Sequence, residues 1–342
     1  MTAPSSTSRP SNTSKAGDSE RSTALAVNTQ LLANLHQRST ERQAGRSSQL
    51  VTGLVVEGGG MRGLYSIAVL QALHEAGLAG AFDHVFGASA GALNASCFLA
   101  GQCEDAIAAY LEDAASVRFI NWLRWWKIVD VDFLVDHVMT RHRPVCMDKV
   151  LRSSSQLHVI LTDCATRTAH VVTNRDAGLV WSEVLRATMA LPALYGRPVP
   201  LNGKTYMDGC MVEPVPIQRA IAAGCTDILV ITTRLPSFRT HFGPVLEFLE
   251  RPLLRQYPAG IQEVARADRA AFNATMELLE HPEHLAHGVR LRVIHPSDIR
   301  WMVWTTTIHR ARLKRCANMG TRDAKQFLHS SPSEFEPTQM HL

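Results

Sequence analysis

A serine framed by glycines, Gly87-Ala88-Ser89-Ala90-Gly91, stands where the apolar run Phe82-Asp83-His84-Val85-Phe86 meets a small-residue helix that continues from Ala90 to Ala100. Glycine two residues either side of a serine permits a sharp strand-to-helix turn that lifts the hydroxyl clear of the backbone, which is the geometry of a nucleophile elbow. One helix earlier, Gly58-Gly59-Gly60-Met61-Arg62-Gly63 follows Leu54-Val55-Val56 and opens a helical apolar series from Leu64 to Leu73. Glycines there let backbone amides converge, and the helix behind them adds partial positive charge. The loop is built to hold an anion, and a phosphate or a tetrahedral oxyanion would suit it equally. A dinucleotide fold would need an acidic residue at the end of the next strand. Asp83 has the spacing, but it precedes that strand, and the Ser89 turn occupies the strand's end.

A third feature is Tyr206-Met207-Asp208-Gly209-Cys210, which follows the turn Leu201-Asn202-Gly203-Lys204 and precedes Met211-Val212-Glu213-Pro214-Val215-Pro216. In isolation an Asp-Gly pair is a turn and nothing more. Taken together, Gly-Gly-Gly-x-Arg-Gly, Gly-x-Ser-x-Gly and a later Asp-Gly-x, in this order, resemble the patatin-like phospholipase family, including its bacterial members. The resemblance runs from about Leu54 to Thr233, and Leu185 to Ala193 resembles the family segment that precedes its aspartate. The resemblance implies a dyad, with Ser89 as nucleophile and Asp208 as its base. It implies an oxyanion hole in Gly58 to Gly63, with the amides of Gly59, Gly60 and Met61 as donors. Gly87 and Gly91 would form the elbow, and Arg62 would shape the loop or attract an anionic head group. Cys210 departs from the pattern, since the family more often has glycine or alanine there.

A dyad is physically reasonable where a carboxylate reaches the serine in an apolar cleft, because desolvation raises its basicity. The reaction would be acyl transfer through a serine ester, with phospholipid or lysophospholipid as the substrate class that the resemblance implies. Two alternatives stay open. One is a histidine triad of the α/β-hydrolase kind, for which His241, His295 and His309 follow the acid in the chain. The other is a catalytically silent lipid-binding or regulatory protein of the same fold.

The elements that must position these groups alternate. Leu157 to Asp163, Ala169 to Thr173 and Asp227 to Thr233 read as strands, and Pro216 to Gly224 reads as an alanine-rich helix. This pattern predicts a three-layer α/β domain with a central, partly parallel sheet flanked by helices, and the resemblance implies that the domain is patatin-like. The expected organisation is a mostly disordered polar segment over 1–48, a catalytic domain over 52–234 and a mainly helical extension over 235–342. In that extension Phe248 to Leu254, Ile261 to Leu279 and Ile308 to Phe327 read as helices, and Val289 to Ile294 as a strand.

With 342 residues, 46% hydrophobic and 19% charged, the chain can bury a sizeable core. A net charge of +4 permits weak attraction to an anionic lipid surface, without the dense basic and aromatic patch of a nucleic-acid binder. Seven cysteines, an odd number scattered among apolar segments, fit reduced thiols and a cytoplasmic location, peripheral membrane contact being compatible. The serine-rich leader lacks the core of a secretory signal, although it could address a non-classical export route. No cofactor or metal is expected: His281, His284 and His287 recur every third residue but read as a solvated helix face. The segment Phe119 to Val129 holds three of the six tryptophans. It reads as core packing over the cleft in preference to a membrane-interface loop whose Arg124 and Lys127 meet phosphates. Trp301-Met302-Val303-Trp304 likewise reads as packing. Oligomeric state is not legible in the chain.

Overall fold

The computed structural model describes residues 29–124, 126–239, 270, 272–282, 285 and 288–329. Its strands are β1 (Thr52–Val56), β2 (His84–Ala88), β3 (Gln156–Asp163), β4 (Ala169–Thr173), β5 (Val199–Leu201), β6 (Lys204–Asp208), β7 (Asp227–Ile231) and β8 (Arg290–Ile294). They form one sheet in the order β5-β6-β3-β2-β1-β7-β8, with β4 also pairing with β3. Strands β3, β2, β1, β7 and β8 run parallel. Strands β4, β5 and β6 join in antiparallel fashion. The sheet is mixed, as the alternation of strands and helices predicts.

Side chains alternate across a pleated strand, and here successive residues enter two different cores. Leu54, Val56, Val85, Leu229 and Ile231 face one core, whereas Val55, Phe86, Ile228 and Val230 face the other. The first core is covered by α2 (Gly63–Glu75) and α3 (Ala90–Ala100), and the second by α8 (Ile217–Ala222) with residues 272–280, named α9. Three layers result. The C-terminal helix α10 (Arg310–Leu328) packs on α2, where Gly320 is so close that an added Cβ would sit 2.5 Å from the Tyr65 carbonyl oxygen. Asp323 of α10 accepts a hydrogen bond from the Tyr65 hydroxyl at 3.0 Å.

The reading of 1–48 as mostly disordered gives way over residues 29–43, which form a helix, α1. Leu31 and Leu35, one helical turn apart, are fully buried in the first core. The polar residues around them are committed as well. Arg38 and Arg42 both bind Asp83, at 2.6 and 2.5 Å, and Asn34 donates to Asp227 at 2.8 Å. A polar composition therefore conceals a helix whose polar side chains have partners on the sheet. Residues 1–28 lie outside the described residues, as do the helix read at Phe248 to Leu254 and the first part of that read from Ile261.

The tryptophan segments do not pack as expected. Trp122, Leu123 and Trp126 are 65%, 88% and 58% exposed, and Trp304 is 75% exposed. Their neighbours Phe119, Ile120, Ile128 and Val303 take the buried positions instead. Among the described residues no helix is long and apolar enough to cross a membrane.

Candidate active site

Ser89 sits between β2 and α3 with φ 54° and ψ −134°, a left-handed backbone that a residue with a Cβ adopts only under constraint. Three contacts supply that constraint. The Ser89 amide donates to the Thr188 hydroxyl at 2.8 Å, and that hydroxyl donates in turn to the Ile160 carbonyl of β3 at 2.7 Å. Gly91 lies against the Val56 carbonyl so closely that a Cβ would collide with it, and at Gly87 a Cβ would meet the Ala92 amide at 2.7 Å. The elbow glycines are required by close backbone approach.

Asp208 ends β6 opposite Leu161 of β3, and the parallel pairing of β3 with β2 brings the two ends together. The Asp208 backbone is fixed from both sides, its amide donating to Ala190 at 3.2 Å and its carbonyl accepting from Thr162 at 2.8 Å. Its carboxylate accepts from the Cys210 amide at 2.8 Å, with the Ser89 hydroxyl beside it. Burial pushes this carboxyl up to about 6, against the opposing pull of the Cys210 amide, the Ser89 hydroxyl and the Cys210 thiol. Cys210 therefore acts on the aspartate through both its backbone and its side chain.

The glycine loop stands directly over the serine. A Cβ on Gly58 would meet the Ala88 carbonyl and the Cys210 sulfur at 2.7 Å and the Ser89 Cβ at 3.0 Å. Gly60 has φ +56°, and a Cβ there would sit 2.6 Å from the Thr305 methyl. Thr305 corrects the expected donor set. Its carbonyl accepts the Met61 amide at 3.0 Å, so this amide is engaged within the protein and is not an oxyanion donor. The amides of Gly59 and Gly60 donate to no acceptor among the described residues. Gly63 begins α2, and its carbonyl accepts from Asn94 of α3 at 2.7 Å.

Arg62 braces the loop. Its guanidinium donates to Thr305 Oγ1 at 2.9 Å and to Thr233 Oγ1 at 3.3 Å. Burial, together with the neighbouring Arg234, lowers it to about 10, leaving it a cation. Arg234 is itself paired with the buried Glu57 at 2.8 Å. No chain pattern marks Thr188, Thr305 or the Glu57–Arg234 pair as part of the site. Thr188 lies within the stretch that resembles the family, but nothing local distinguishes it, and Thr305 acts mainly through a backbone atom.

A cavity of about 410 Å³ opens beside these groups, bounded at one end by Ser89, Asp208 and the Gly58 to Arg62 loop. Its wall includes Leu93, Phe119, Leu134, Val138, Met139 and Leu194. Such a slot takes an apolar chain. The cavity wall is pinned from outside by Asp132, which binds Arg186 at 2.5 Å, Lys127 at 2.7 Å and the Tyr195 hydroxyl at 2.6 Å. No histidine among the described residues lines the cavity. His309 instead caps α10, His295 lies beside Pro296, and His241 falls outside the described residues. His284 and His287 also fall outside them. Among the described residues no group of three His, Cys, Asp or Glu side chains is placed to hold a metal ion.

Residues 54–221 match the family model described as patatin-like phospholipase. The chain is 31% identical over 237 residues, 67% of its length, to the uncharacterized protein YjjU of Escherichia coli (strain K12). The aligned stretch spans 64% of that relative, just under two thirds. Among solved structures, VipD from Legionella pneumophila aligns at 15% identity with a TM-score of 0.48, covering 83% of this chain and 68% of that one. Human GIVD cytosolic phospholipase A2, solved with a methyl gamma-linolenyl fluorophosphonate inhibitor, aligns at 12% identity with a TM-score of 0.37, covering 91% of this chain and 64% of that one.

Proposed function

We propose, on the premise of the match of residues 54–221 to the patatin-like phospholipase family model, that the chain is a serine acyl hydrolase cleaving fatty-acyl esters of phospholipids or lysophospholipids. The observation that carries the proposal is the placement of Ser89 and the buried Asp208 side by side on the wall of a mainly apolar cavity. With its carboxyl raised to about 6 by burial, Asp208 is ionised near neutrality and still basic enough to accept a proton.

In this mechanism Ser89 Oγ attacks the ester carbonyl carbon while its proton passes to Asp208. The amides of Gly59 and Gly60 receive the resulting oxyanion. Collapse breaks the bond to the leaving oxygen, which takes the proton from Asp208, and leaves the acyl group on Ser89. Water then attacks the acyl-enzyme, gives a proton to Asp208, and releases the fatty acid as the proton returns to Ser89. The acyl chain occupies the slot between Leu93 and Leu134. Residues 52–234 supply the dyad, and the extension from 235 contributes Thr305 to the oxyanion loop.

A fluorophosphonate probe tests this reading, because it reacts only with an activated serine. Labelling at Ser89 that disappears in Ser89→Ala and falls in Asp208→Asn is the expected result. A folded protein that binds lipid stoichiometrically without labelling would replace the hydrolase with the silent lipid-binding protein.

A further inference from the structure

Two exposed tryptophan loops rise from the wall of the acyl cavity. In the first, Phe119 and Val129 line the cavity, and an antiparallel bridge between Ile120 and Val129 closes the loop that carries Trp122, Leu123 and Trp126 into solvent. Its cations are turned inward. Arg124 binds Asp130 at 3.0 Å, and Lys127 binds Asp130 and Asp132 at 2.6 and 2.7 Å, which holds the loop's shape and leaves its apolar tip outward. In the second, Thr305 lines the cavity and bonds the oxyanion loop, while the adjacent Trp304 is 75% exposed and Trp301 is 40% exposed. Large aromatic side chains exposed on loops that each reach the wall of one cavity are uncommon on a soluble surface and point to a partner with an apolar interior and a polar boundary.

Charge narrows the choice of partner. The second loop runs directly into α10, whose first residues include Arg310, Arg312, Lys314 and Arg315, all exposed. None of these four has a carboxylate partner among the described residues, and no acidic side chain lies in the helix's first turn. The Arg315 guanidinium lies 4.9 Å over the Trp301 ring, which joins the cationic group to the aromatic one. Cations beside exposed tryptophans match the boundary of a bilayer that carries anionic head groups, where rings settle at head-group depth and cations meet phosphates.

We infer that these two loops and the first turns of α10 form a docking surface for an anionic lipid bilayer, seating the mouth of the acyl cavity on its substrate. The inference rests on the acyl-hydrolase reading for its purpose, but its test does not depend on turnover. The docking surface also touches the catalytic machinery, since Trp304 and Thr305 are consecutive and Thr305 holds the Met61 amide and the Arg62 guanidinium.

The full chain is sedimented with vesicles of phosphatidylcholine alone and of phosphatidylcholine with phosphatidylglycerol. Wild type is expected to partition at least about a hundredfold better onto the anionic vesicles. The Arg312→Gln, Lys314→Gln, Arg315→Gln variant is expected to lose roughly a hundredfold of that binding, at about fivefold for each cation. The Trp122→Ala, Trp304→Ala variant is expected to lose on the order of tenfold on either vesicle. Both variants should keep the wild-type circular-dichroism spectrum and thermal midpoint, which report intact folding. Partition unchanged in both variants overturns the docking surface. So does a wild-type dimer that Trp304→Asp splits into monomers, because the patch would then be an interface between copies of the chain. Vesicle binding without fluorophosphonate labelling of Ser89 leaves the docking surface standing and removes the hydrolase reading; labelling without vesicle binding does the reverse.

Discussion

At the scale of single residues the chemistry turns on one carboxyl group. In the proposed mechanism Asp208 must be ionised to take a proton from Ser89, and burial pushes its carboxyl up to about 6. Acyl transfer to a soluble ester should therefore rise with pH through about 6 and level off above it, as a pH–rate profile of kcat/KM would record. The same shift has the opposite consequence for stability. A carboxyl whose folded value lies above its unfolded one favours the native state at low pH, and that advantage is lost as pH rises through the folded value. Asp208→Asn should thus be more stable than wild type at pH 8, by roughly 2–3 kcal/mol, with the difference shrinking as pH falls through 6 toward 4. Thermal unfolding at several pH values would check this. Gly60→Ala should reduce turnover by about 10² to 10³, because its Cβ would meet Thr305 and displace one of the two open amides. Ser89 and Asp208 were legible because each is a residue type in a short chain pattern. The engagement of the Met61 amide was not, since its acceptor is a backbone carbonyl more than two hundred residues away, and a carbonyl carries no signature in sequence.

At the scale of elements, what the chain patterns conveyed was periodicity. Strands β1, β2, β3 and β7 were readable as short apolar runs ending in glycine or polar turns, and β8 was found within one residue of its observed start. The apolar residues from Leu31 to Leu35 have helical spacing, but polar side chains outnumber apolar ones in α1, and only partners distant in sequence give those polar side chains a structural use. Asp83 is the main partner. Burial works to raise its carboxyl, but the bonds from Arg38 and Thr52 prevail and hold it below the usual carboxylate range. Asp83→Ala should cost about 2–4 kcal/mol, since it leaves two largely buried guanidinium groups unmatched. Limited proteolysis should then cut within residues 44–50, which lead out of α1. Gly320→Leu should separate α10 from α2 and destabilise the fold by about 1–3 kcal/mol, measurable by denaturant unfolding. The tryptophan loops were misjudged for a related reason. Aromatic clusters are usually core, and nothing in their spacing distinguishes a ring that packs inward from one that points out.

At the scale of the whole molecule, the cavity and the sheet belong to one design. Ser89 and Asp208 lie where the parallel β2 and the antiparallel β6 end, and the cavity is walled by residues of α3 and of the wide-turned helix Phe133–His142. Filling the slot should shorten the preferred chain: Val138→Trp is expected to suppress hydrolysis of long acyl esters while sparing short ones, read as the ratio of kcat/KM across a chain-length series. The lining of the slot was not legible in the chain, because it is assembled from separated stretches that run from Glu57 to Thr305. The central strand β1 pairs on one side with β2, only a helix away. On its other side it pairs with β7, and the Val51 carbonyl accepts a hydrogen bond from Thr226, 175 residues later. During synthesis this second edge of β1 must wait roughly 10 to 35 seconds for its partner to leave the ribosome. For that interval the nascent chain carries an apolar, unpaired edge that invites pairing with a neighbouring copy. Any product truncated before Asp227 would retain that edge indefinitely, so its fate is aggregation or degradation and not partial activity.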